Sequence, residues 1–351
     1  MLKPTEIAFV RETLEQAKNP LFFYDGDADG LASFLLLYRF CKEGRGSMVE
    51  KSNQFEAQML RKIEEHQPDV VFLLDIPVIS QEFANNVKRP LFWIDHHQPI
   101  RLEHVHYYNP RLDDPEAYVP TTRMAYQITT REEDEWIAAI GCLADWYLPD
   151  FITQFQQQYP HLLEEKSDLT KAIYEQPIGI LVKMFFFLLK GKQVDVKACI
   201  KILTRITSPD EILKQTTAQG KFLLKRFQYI NEKYLALLLE AKKSVTRSRL
   251  VVFYYTENQW SFTSNLANEL MALYPEKVIL ICRRKSGEVK CSLRGKLPIE
   301  PILQKSLVGI KGHGGGHQHA CGAVVKEDDW ERFLENFKQE IKTAVRAEAK
   351  V

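Results

Sequence analysis

The sequence predicts an α/β protein with an N-terminal parallel-sheet domain, a helical connector and a smaller C-terminal α/β domain. In the first 150 residues, short apolar runs alternate with amphipathic stretches. From residue 134 to 244 the apolar residues recur every three or four positions, which is the helical spacing. A second series of strand-like and helical segments follows. We therefore predict domains at 1–160, 161–247 and 248–351.

Three buried strands are predicted in the N-terminal domain, and an aspartate follows each of them. Helical segments such as 31–40 lie between the strands, which predicts βαβ units and a parallel sheet. Ligand sites of open α/β sheets lie at the carboxyl ends of the strands. We therefore expect the three aspartates to share one site. The strands are 20–24, 69–74 and 90–94, followed by Asp25, Asp75 and Asp95.

The connector and the C-terminal domain are predicted from the same periodicities. Ser208-Pro209-Asp210-Glu211 is typical of a helix cap and first turn. The predicted connector helices include 178–189, 194–206 and 218–241. The C-terminal domain is predicted to have strands at 250–255, 278–282 and 289–293, and helices at 265–273 and 328–344.

Composition and charge exclude several classes of protein. With 45% hydrophobic and 26% charged residues, the 351-residue chain is not of the disordered or low-complexity class. The net charge of +1 hides an asymmetry, because residues 1–160 carry 15 Lys and Arg against 25 Asp and Glu, whereas residues 161–351 carry 32 against 21. This asymmetry predicts carboxylates that bind cations in the first half and a surface that attracts anions in the second.

The cysteines and the apolar stretches bear on the compartment. The 6 cysteines form no C-x-x-C pair, which argues against a zinc ribbon and against disulfides. The first ten residues lack the apolar core of a signal peptide. The most apolar stretch, 177–189, is interrupted by Lys183 and is shorter than the ~20 residues that span a bilayer. We expect a soluble, cytoplasmic protein without a membrane partner.

The first cluster with chemical meaning is Asp25-Gly26-Asp27-Ala28-Asp29-Gly30, at the turn from strand to helix. One aspartate there is typical of a helix cap, but three neighbouring carboxylates repel one another unless a cation neutralises them. The pattern also resembles the start of a calcium-binding loop. However, the twelfth position, which holds a glutamate in such loops, is Leu36 here.

The second cluster is Asp95-His96-His97, directly after the third predicted strand. A lone histidine at a strand end is usually an ordinary polar residue, but two beside several carboxylates indicate a metal site. This donor set fits Mn²⁺, Fe²⁺, Co²⁺ or Zn²⁺, and its richness in oxygen favours Mn²⁺ over zinc. Asp145, in Gly-Cys-Leu-Ala-Asp, would be unremarkable by itself.

Together these motifs resemble those of the DHH phosphoesterase superfamily. The resemblance extends to the segment GHGGGHQHACGA at 312–323, which is similar to the glycine-rich signature of the DHH-associated substrate-binding domain. The motifs run from residue 25 to 323 and so cover nearly the whole chain. Within the superfamily, the Asp-x-Asp-x-Asp-Gly form resembles the RecJ-like exonucleases, and the length fits compact RecJ-like nucleases and the nanoRNase group equally well.

The resemblance implies a metal-dependent phosphodiesterase with two Mn²⁺ per chain, Mg²⁺ or Co²⁺ being alternatives. His97 would contact the scissile phosphate, and Asp95 would orient the histidine pair. Two cations at such a site lower the pKa of a shared water and stabilise both oxygens of an in-line displacement. The implied ligands are Asp25 and Asp27 for one metal, Asp29, His96 and Asp145 for the other, and Asp75 as the bridge.

The resemblance also implies a substrate site in residues 248–351. Arg294 would pair with a substrate phosphate, and backbone N–H groups of the glycine run would cradle one. Basic residues of the same domain, Arg283, Arg284, Lys285, Lys290, Lys296, Lys305 and Lys311, would attract the anionic chain. The implied substrate-binding residues are Ser292, Arg294, Gly314, Gly315, Gly316, His317 and His319.

The function that follows is hydrolysis of single-stranded DNA or RNA, or of short oligonucleotides, to mononucleotides. One alternative is a phosphodiesterase for cyclic dinucleotides or other small substrates. Another is a catalytically silent scaffold for replication, which loss of metal ligands would mark, whereas every expected ligand is present. A replication or repair protein would be the expected protein partner. The sequence gives neither the preference between DNA and RNA nor the polarity.

Overall fold

The computed structural model describes residues 1–49, 54–256 and 260–348. The chain divides into two compact units, Met1–Phe227 and Gln228–Val351. The predicted α/β class is confirmed, with a parallel sheet in the first unit and a mixed sheet in the second. The three-domain division of the sequence remains a prediction.

The first unit is built on a parallel sheet in the order β2-β1-β3-β4-β5. The predicted strands at 20–24, 69–74 and 90–94 correspond to β1, β3 and β4, while β2 and β5 were not predicted. Side chains of β1, β3 and β4 are fully buried, as expected of a sheet covered on both faces. The strands are β1 Leu21–Asp25, β2 Arg45–Val49, β3 Val71–Leu74, β4 Leu91–Ile94 and β5 His106–Tyr108.

Helices cover this sheet and then continue through the connector. The helix predicted at 31–40 begins earlier, at Ala28, because the Asp27 side chain accepts a hydrogen bond from the Gly30 N–H at 3.0 Å. The helices are α1 Pro4–Gln16, α2 Ala28–Cys41, α3 Phe55–His66, α4 Gln81–Asn86, α5 Thr121–Thr129 and α6 Glu135–Ala144.

The connector is helical, as predicted. The Ser208 cap is also confirmed, because its hydroxyl accepts the Glu211 N–H at 3.3 Å and Pro209 opens the helix. Helix α7 Ile152–Gln158 precedes the connector, whose helices are α8 Leu169–Tyr174, α9 Ile178–Leu188, α10 Gln193–Leu203, α11 Pro209–Leu213 and α12 Ala218–Lys243. Among the described residues, no helix is long and apolar enough to cross a membrane.

The second unit contains a mixed sheet in the order β6-β7-β8-β10-β9, in which β6 and β7 pair in parallel and the other described neighbours pair antiparallel. Its core packs one sheet face against α14 and α15 around Trp330 and Phe333. The strands are β6 Leu250–Tyr255, β7 Val278–Lys285, β8 Glu288–Arg294, β9 Gly312–His317 and β10 Ala320–Lys326. The helices are α13 Thr263–Leu273, α14 Ile299–Ser306 and α15 Trp330–Glu348.

Candidate metal centre

Three aspartates lie at the carboxyl ends of β1, β3 and β4, as the sequence predicted. Asp25 ends β1, Asp75 follows β3 and Asp95 follows β4, and all three are buried. Asp75 has φ 60°, in the left-handed region that non-glycine residues rarely adopt. Such a strained backbone conformation persists only where the surrounding structure enforces it, and it occurs most often at active sites and ligand-binding sites.

The turn after β1 delivers Asp27 and Asp29 to the same edge. Gly30 permits the close approach of helix and strand, because a Cβ there would lie 2.6 Å from the Asp25 carbonyl oxygen. Asp29 is buried, and its two carboxylate oxygens accept the backbone N–H groups of Thr121 at 2.9 Å and Thr122 at 2.7 Å. Those N–H groups belong to the first turn of α5, so the helix dipole also favours the Asp29 charge.

The fold brings all the predicted metal ligands together. Three groups of side chains each place one ligand atom per residue within 4.8 Å of the others. Asp75 and His96 occur in two groups each, so they connect the three. The groups are Asp25, Asp27 and Asp75; Asp29, His96 and Asp145; and Asp75, His96 and His97.

His96 lies at the centre of this arrangement. Its Nε2 is 3.4 Å from Asp75 Oδ1, 3.6 Å from Asp145 Oδ2 and 3.9 Å from Asp29 Oδ2. At these distances His96 Nε2 forms no short hydrogen bond with any of the three carboxylates. Space for an ion therefore remains between the imidazole and the carboxylates. Carboxylate oxygens and imidazole nitrogen are donors that suit Mn²⁺ and related cations.

His97 is oriented by Asp95. Its Nδ1 lies 2.8 Å from Asp95 Oδ1, and its backbone N–H donates to Asp95 Oδ2 at 3.0 Å. Asn109 fixes the same corner, because its Nδ2 donates to the His97 carbonyl at 2.9 Å and to Asp95 Oδ2 at 3.3 Å. A carboxylate can only accept a hydrogen bond. The contact between Asp95 Oδ1 and His97 Nδ1 therefore keeps a proton on Nδ1.

The electrostatics of the cluster favour a bound cation. Burial, followed by the charge of Asp29 and other aspartates, raises the pKa of Asp75 well above the ordinary range of an aspartate. Burial and the charges of Asp29 and Asp27 likewise raise the pKa of Asp145. A cation reverses this effect, because it stabilises the ionised carboxylates that burial disfavours. The residues present therefore fit a divalent metal ion.

Residues of the segment before and within α5 complete the site, and the sequence did not point to them. Besides the two N–H groups, the Thr121 hydroxyl lies 3.3 Å from Asp75 Oδ1 and the Thr122 hydroxyl donates to the Asp29 carbonyl at 3.0 Å. Tyr118 donates to Asp145, and Asn109 was also missed. A Pro-Thr-Thr helix start was the only available signal, and nothing in the sequence joined it to residue 29.

The predicted substrate-binding residues of the C-terminal unit lie on two strands and the turn after one of them. Ser292 and Arg294 lie on β8, and the glycines lie on β9, an edge strand that pairs only with β10 among the described strands. Arg294 Nε donates to Asn268 Oδ1 at 2.6 Å, and its Nη1 donates to the Leu293 carbonyl at 2.8 Å. His317 ends β9, and His319 follows in the turn with Nδ1 3.1 Å from the Leu297 carbonyl.

Two family models match the chain. The model described as the DHH family, N-terminal domain, matches residues 22–145, which contain all the predicted metal ligands. The model described as the DHHA1 domain matches residues 221–343, which contain the predicted substrate-binding residues. No curated protein matches the chain.

Solved structures share the fold over most of the chain. RecJ from Thermus thermophilus, crystallised with Mn²⁺, is 15% identical with a TM-score of 0.70, covering 99% of this chain and 56% of the RecJ chain. The pGpG-specific phosphodiesterase PggH from Vibrio cholerae is 13% identical, with a TM-score of 0.54 and coverage of 93% and 100%. CDC45 from Entamoeba histolytica is 11% identical, with a TM-score of 0.51 and coverage of 96% and 99%. At these identities the similarity establishes the fold, and the chain spans little more than half of that RecJ.

Proposed function

Because the chain belongs to the DHH superfamily and has a RecJ-like fold, we propose that it is a two-metal, Mn²⁺-dependent phosphodiesterase. It degrades single-stranded DNA or RNA, or short oligonucleotides, from an end to mononucleotides. The observation that carries the proposal is the convergence of five carboxylates and two imidazoles at one sheet edge, with Asp75 shared between groups. Cations relieve the mutual repulsion of such a set, and the donors present are suited to holding two of them.

The ligand assignment combines two of the groups with the shared Asp75. Asp25 and Asp27 would hold one cation and Asp29, His96 and Asp145 the other, while Asp75, which is grouped with Asp25 and Asp27 and also with His96, would contact both. When bound, the two cations activate a water for attack and stabilise the oxygens of an in-line displacement at phosphorus. Mg²⁺ or Co²⁺ can occupy the same donors.

The other residues orient and bind. His97, held by Asp95 through Nδ1, directs Nε2 towards the scissile phosphate and stabilises its developing charge. In the C-terminal unit, neutral oxygens of Asn268 and Leu293 orient the Arg294 guanidinium, which binds a second phosphate. Ser292, two residues before Arg294 on β8, also contacts the substrate. His317 and His319 donate hydrogen bonds to the phosphate that binds against the backbone of the glycines.

The glycine strand supports a role in phosphate binding. A Cβ on Gly314 or Gly316 would collide with the β10 backbone, but a Cβ on Gly315 would meet nothing within 4 Å. Packing therefore does not explain the glycine at 315, whereas close approach of a ligand to the backbone does. In an antiparallel edge strand, alternate N–H groups point away from the partner strand and can donate to an anion.

The test is a comparison of substrates. Purified protein with Mn²⁺ is incubated with end-labelled single-stranded DNA, single-stranded RNA, a dinucleotide and cyclic di-AMP, and product length is followed over time. Progressive release of mononucleotides from a linear strand, with little cutting of a circular strand of the same sequence, is the expected result. Equal cleavage of the circle would identify an endonuclease, and no hydrolysis of any substrate would refute the enzymatic function.

The dinucleotide arm tests a second candidate function. The fold shared with the pGpG-specific phosphodiesterase PggH extends over the whole of that chain, so we propose a small dinucleotide as the alternative substrate. Rapid hydrolysis of a linear or cyclic dinucleotide, with negligible action on longer strands, would replace the exonuclease proposal by this one. A scaffold of the CDC45 type would hydrolyse none of the substrates, and a replication or repair protein remains a proposed partner.

A further inference from the structure

Tyr118 has an unusual orientation for an exposed tyrosine. It lies in the irregular segment directly before α5, and the residue is 47% exposed. Its hydroxyl nevertheless points into the candidate metal centre, where it lies 2.6 Å from the Asp145 carbonyl oxygen and 2.8 Å from Asp145 Oδ2. An exposed tyrosine ordinarily turns its hydroxyl to water and its ring to the protein, so the reversed arrangement calls for an explanation.

The two contacts of the hydroxyl constrain Asp145 in position and in rotamer. Asp145 is the C-cap residue directly after α6, and Trp146 after it has φ 55°, so the chain turns away directly behind the carboxylate. The Tyr118 hydroxyl reaches both the backbone and the side chain of Asp145, and the same Oδ2 lies 3.6 Å from His96 Nε2. The hydroxyl therefore fixes the orientation in which Asp145 and His96 face one common point.

The segment that carries Tyr118 is itself anchored. Two residues later α5 begins at its Pro120 cap, and its first N–H groups bind Asp29, the third member of the same ligand group. Arg123 forms a bidentate ion pair with Asp150, with contacts of 2.6 and 2.8 Å, which ties the chain that follows Asp145 to α5. Tyr118 is thus attached to a rigid part of the unit.

The ring provides a second contact. Its centroid is 5.7 Å from that of His96, edge to face, so an exposed aromatic surface lies beside the predicted metal ligands. Base stacking on an aromatic side chain is tolerant of sequence and contributes about 1–3 kcal/mol per base. A tyrosine held by its hydroxyl offers such a surface without the loss of side-chain freedom that a mobile ring would incur on binding.

Resting on the proposed function, we propose that Tyr118 is a positioning and substrate-contact residue of this site. Its hydroxyl aligns Asp145 for the metal ion that Asp29, His96 and Asp145 hold, and its ring stacks on a nucleobase beside the scissile phosphodiester. The first role sets metal affinity, and the second sets substrate affinity. Two substitutions separate them, because Tyr118→Phe removes only the hydroxyl and Tyr118→Leu removes the ring as well.

The experiment measures Mn²⁺ binding by the electron paramagnetic resonance of free Mn²⁺, and kcat and KM on a short single-stranded oligonucleotide. Tyr38→Phe is the matched control, since Tyr38 lies on α2 nine residues after Asp29, about 13 Å along the helix axis, with its ring against Phe34. For Tyr118→Phe we expect one of the two Mn²⁺ sites to weaken about 10- to 100-fold, with the other site and KM unchanged. For Tyr118→Leu we expect the same loss of metal affinity and a KM about 5- to 150-fold higher.

The outcomes distinguish the inference from the function on which it rests. If the wild-type protein binds no Mn²⁺, the proposed function fails. If the wild type binds two ions and Tyr118→Phe binds both with unchanged affinity, the positioning role is refuted. An equal KM for the Leu and Phe variants would refute stacking, and a loss of affinity in Tyr38→Phe as large as in Tyr118→Phe would refute specificity for this tyrosine. The Phe variant differs by one oxygen atom, so it tests the positioning role even if the Leu variant does not fold.

Discussion

The candidate metal centre and the glycine strand β9 hold their functional groups in opposite ways. At the metal centre, most of the charged side chains are buried, and neighbouring segments orient them, as α5 orients Asp29 and Asn109 orients Asp95. On β9, most residues are exposed and the predicted ligand groups include the backbone itself. The difference shows what each kind of recognition needs. Like charges held together require support from several elements, whereas backbone contacts to an anion require mainly that side chains be absent.

The largest expected effect is that of removing the shared carboxylate. Asp75→Asn keeps the shape of the side chain but removes its charge, so in the proposed assignment both cations would lose an anionic ligand and turnover should fall by orders of magnitude. Metal content, measured by mass spectrometry, should fall from near two per chain. The melting temperature of the metal-free protein should rise, because the variant relieves the repulsion that raises the pKa of Asp75.

Asp113→Asn is the control for this variant, because its side chain is 65% exposed and pairs with Lys3. It should change neither metal content nor turnover. Unchanged activity in Asp75→Asn would remove Asp75 from the site.

The second effect is the dependence of stability on pH in the metal-free protein. The pKa values of Asp75 and Asp145 are raised in the folded state, so folded protein holds these protons more tightly than the unfolded chain does. Stability should therefore fall as pH rises from the ordinary aspartate pKa of about 4 through the raised values. Excess Mn²⁺ should abolish this fall by favouring the ionised carboxylates.

Thermal unfolding from acidic to neutral pH, with and without Mn²⁺, measures both slopes. Asp75→Asn should show a smaller fall than the wild type when both are metal-free. A metal-free protein whose melting temperature rises over this range would contradict the sign derived from the two carboxyls.

For the metal centre and for strand β9, the sequence predicts an element where its signal lies within a few neighbouring residues. The three strands that precede Asp25, Asp75 and Asp95 were predicted because each is a continuous apolar run that ends in a charge. Strand β2 was missed because its first residues are polar and exposed, and β5 because it has only three residues.

The supporting contacts of the metal centre could not be predicted because they join distant positions. Thr121 and Asp29 are 92 residues apart, and Tyr118 and Asp145 are 27 apart. Strand β9 was not predicted as a strand for a different reason. Glycine is unfavourable in strands, so the composition of the segment does not predict one. The segment is a strand because it pairs with β10.

The third effect lies in the C-terminal unit and is smaller. Arg294→Ala should raise KM about 10- to 150-fold, since a hydrogen bond to a charged group contributes about 1.5–3 kcal/mol. Metal content should not change, because Arg294 binds substrate in this proposal. Steady-state kinetics and metal analysis on one preparation measure KM and metal content together.

Arg61→Ala is the control, since Arg61 lies on α3 with a 72% exposed side chain. Loss of metal in Arg294→Ala would place this residue with the metal centre.

The smallest effect compares two neighbouring glycines of β9. An added Cβ on Gly314 would lie 2.7 Å from the Gly322 carbonyl oxygen and 3.0 Å from Ala323 Cβ, so Gly314→Ala should destabilise the fold by about 1–3 kcal/mol. The Cβ on Gly315 would enter open space, so Gly315→Ala should melt as the wild type does. If substrate phosphate approaches the backbone here, the same methyl group should raise KM a few-fold while kcat and metal content stay constant. Differential scanning calorimetry and KM on a short oligonucleotide separate the two variants. A Gly315→Ala protein with wild-type KM, beside an Arg294→Ala protein with raised KM, would show that the side chain of β8 binds phosphate without the backbone of β9.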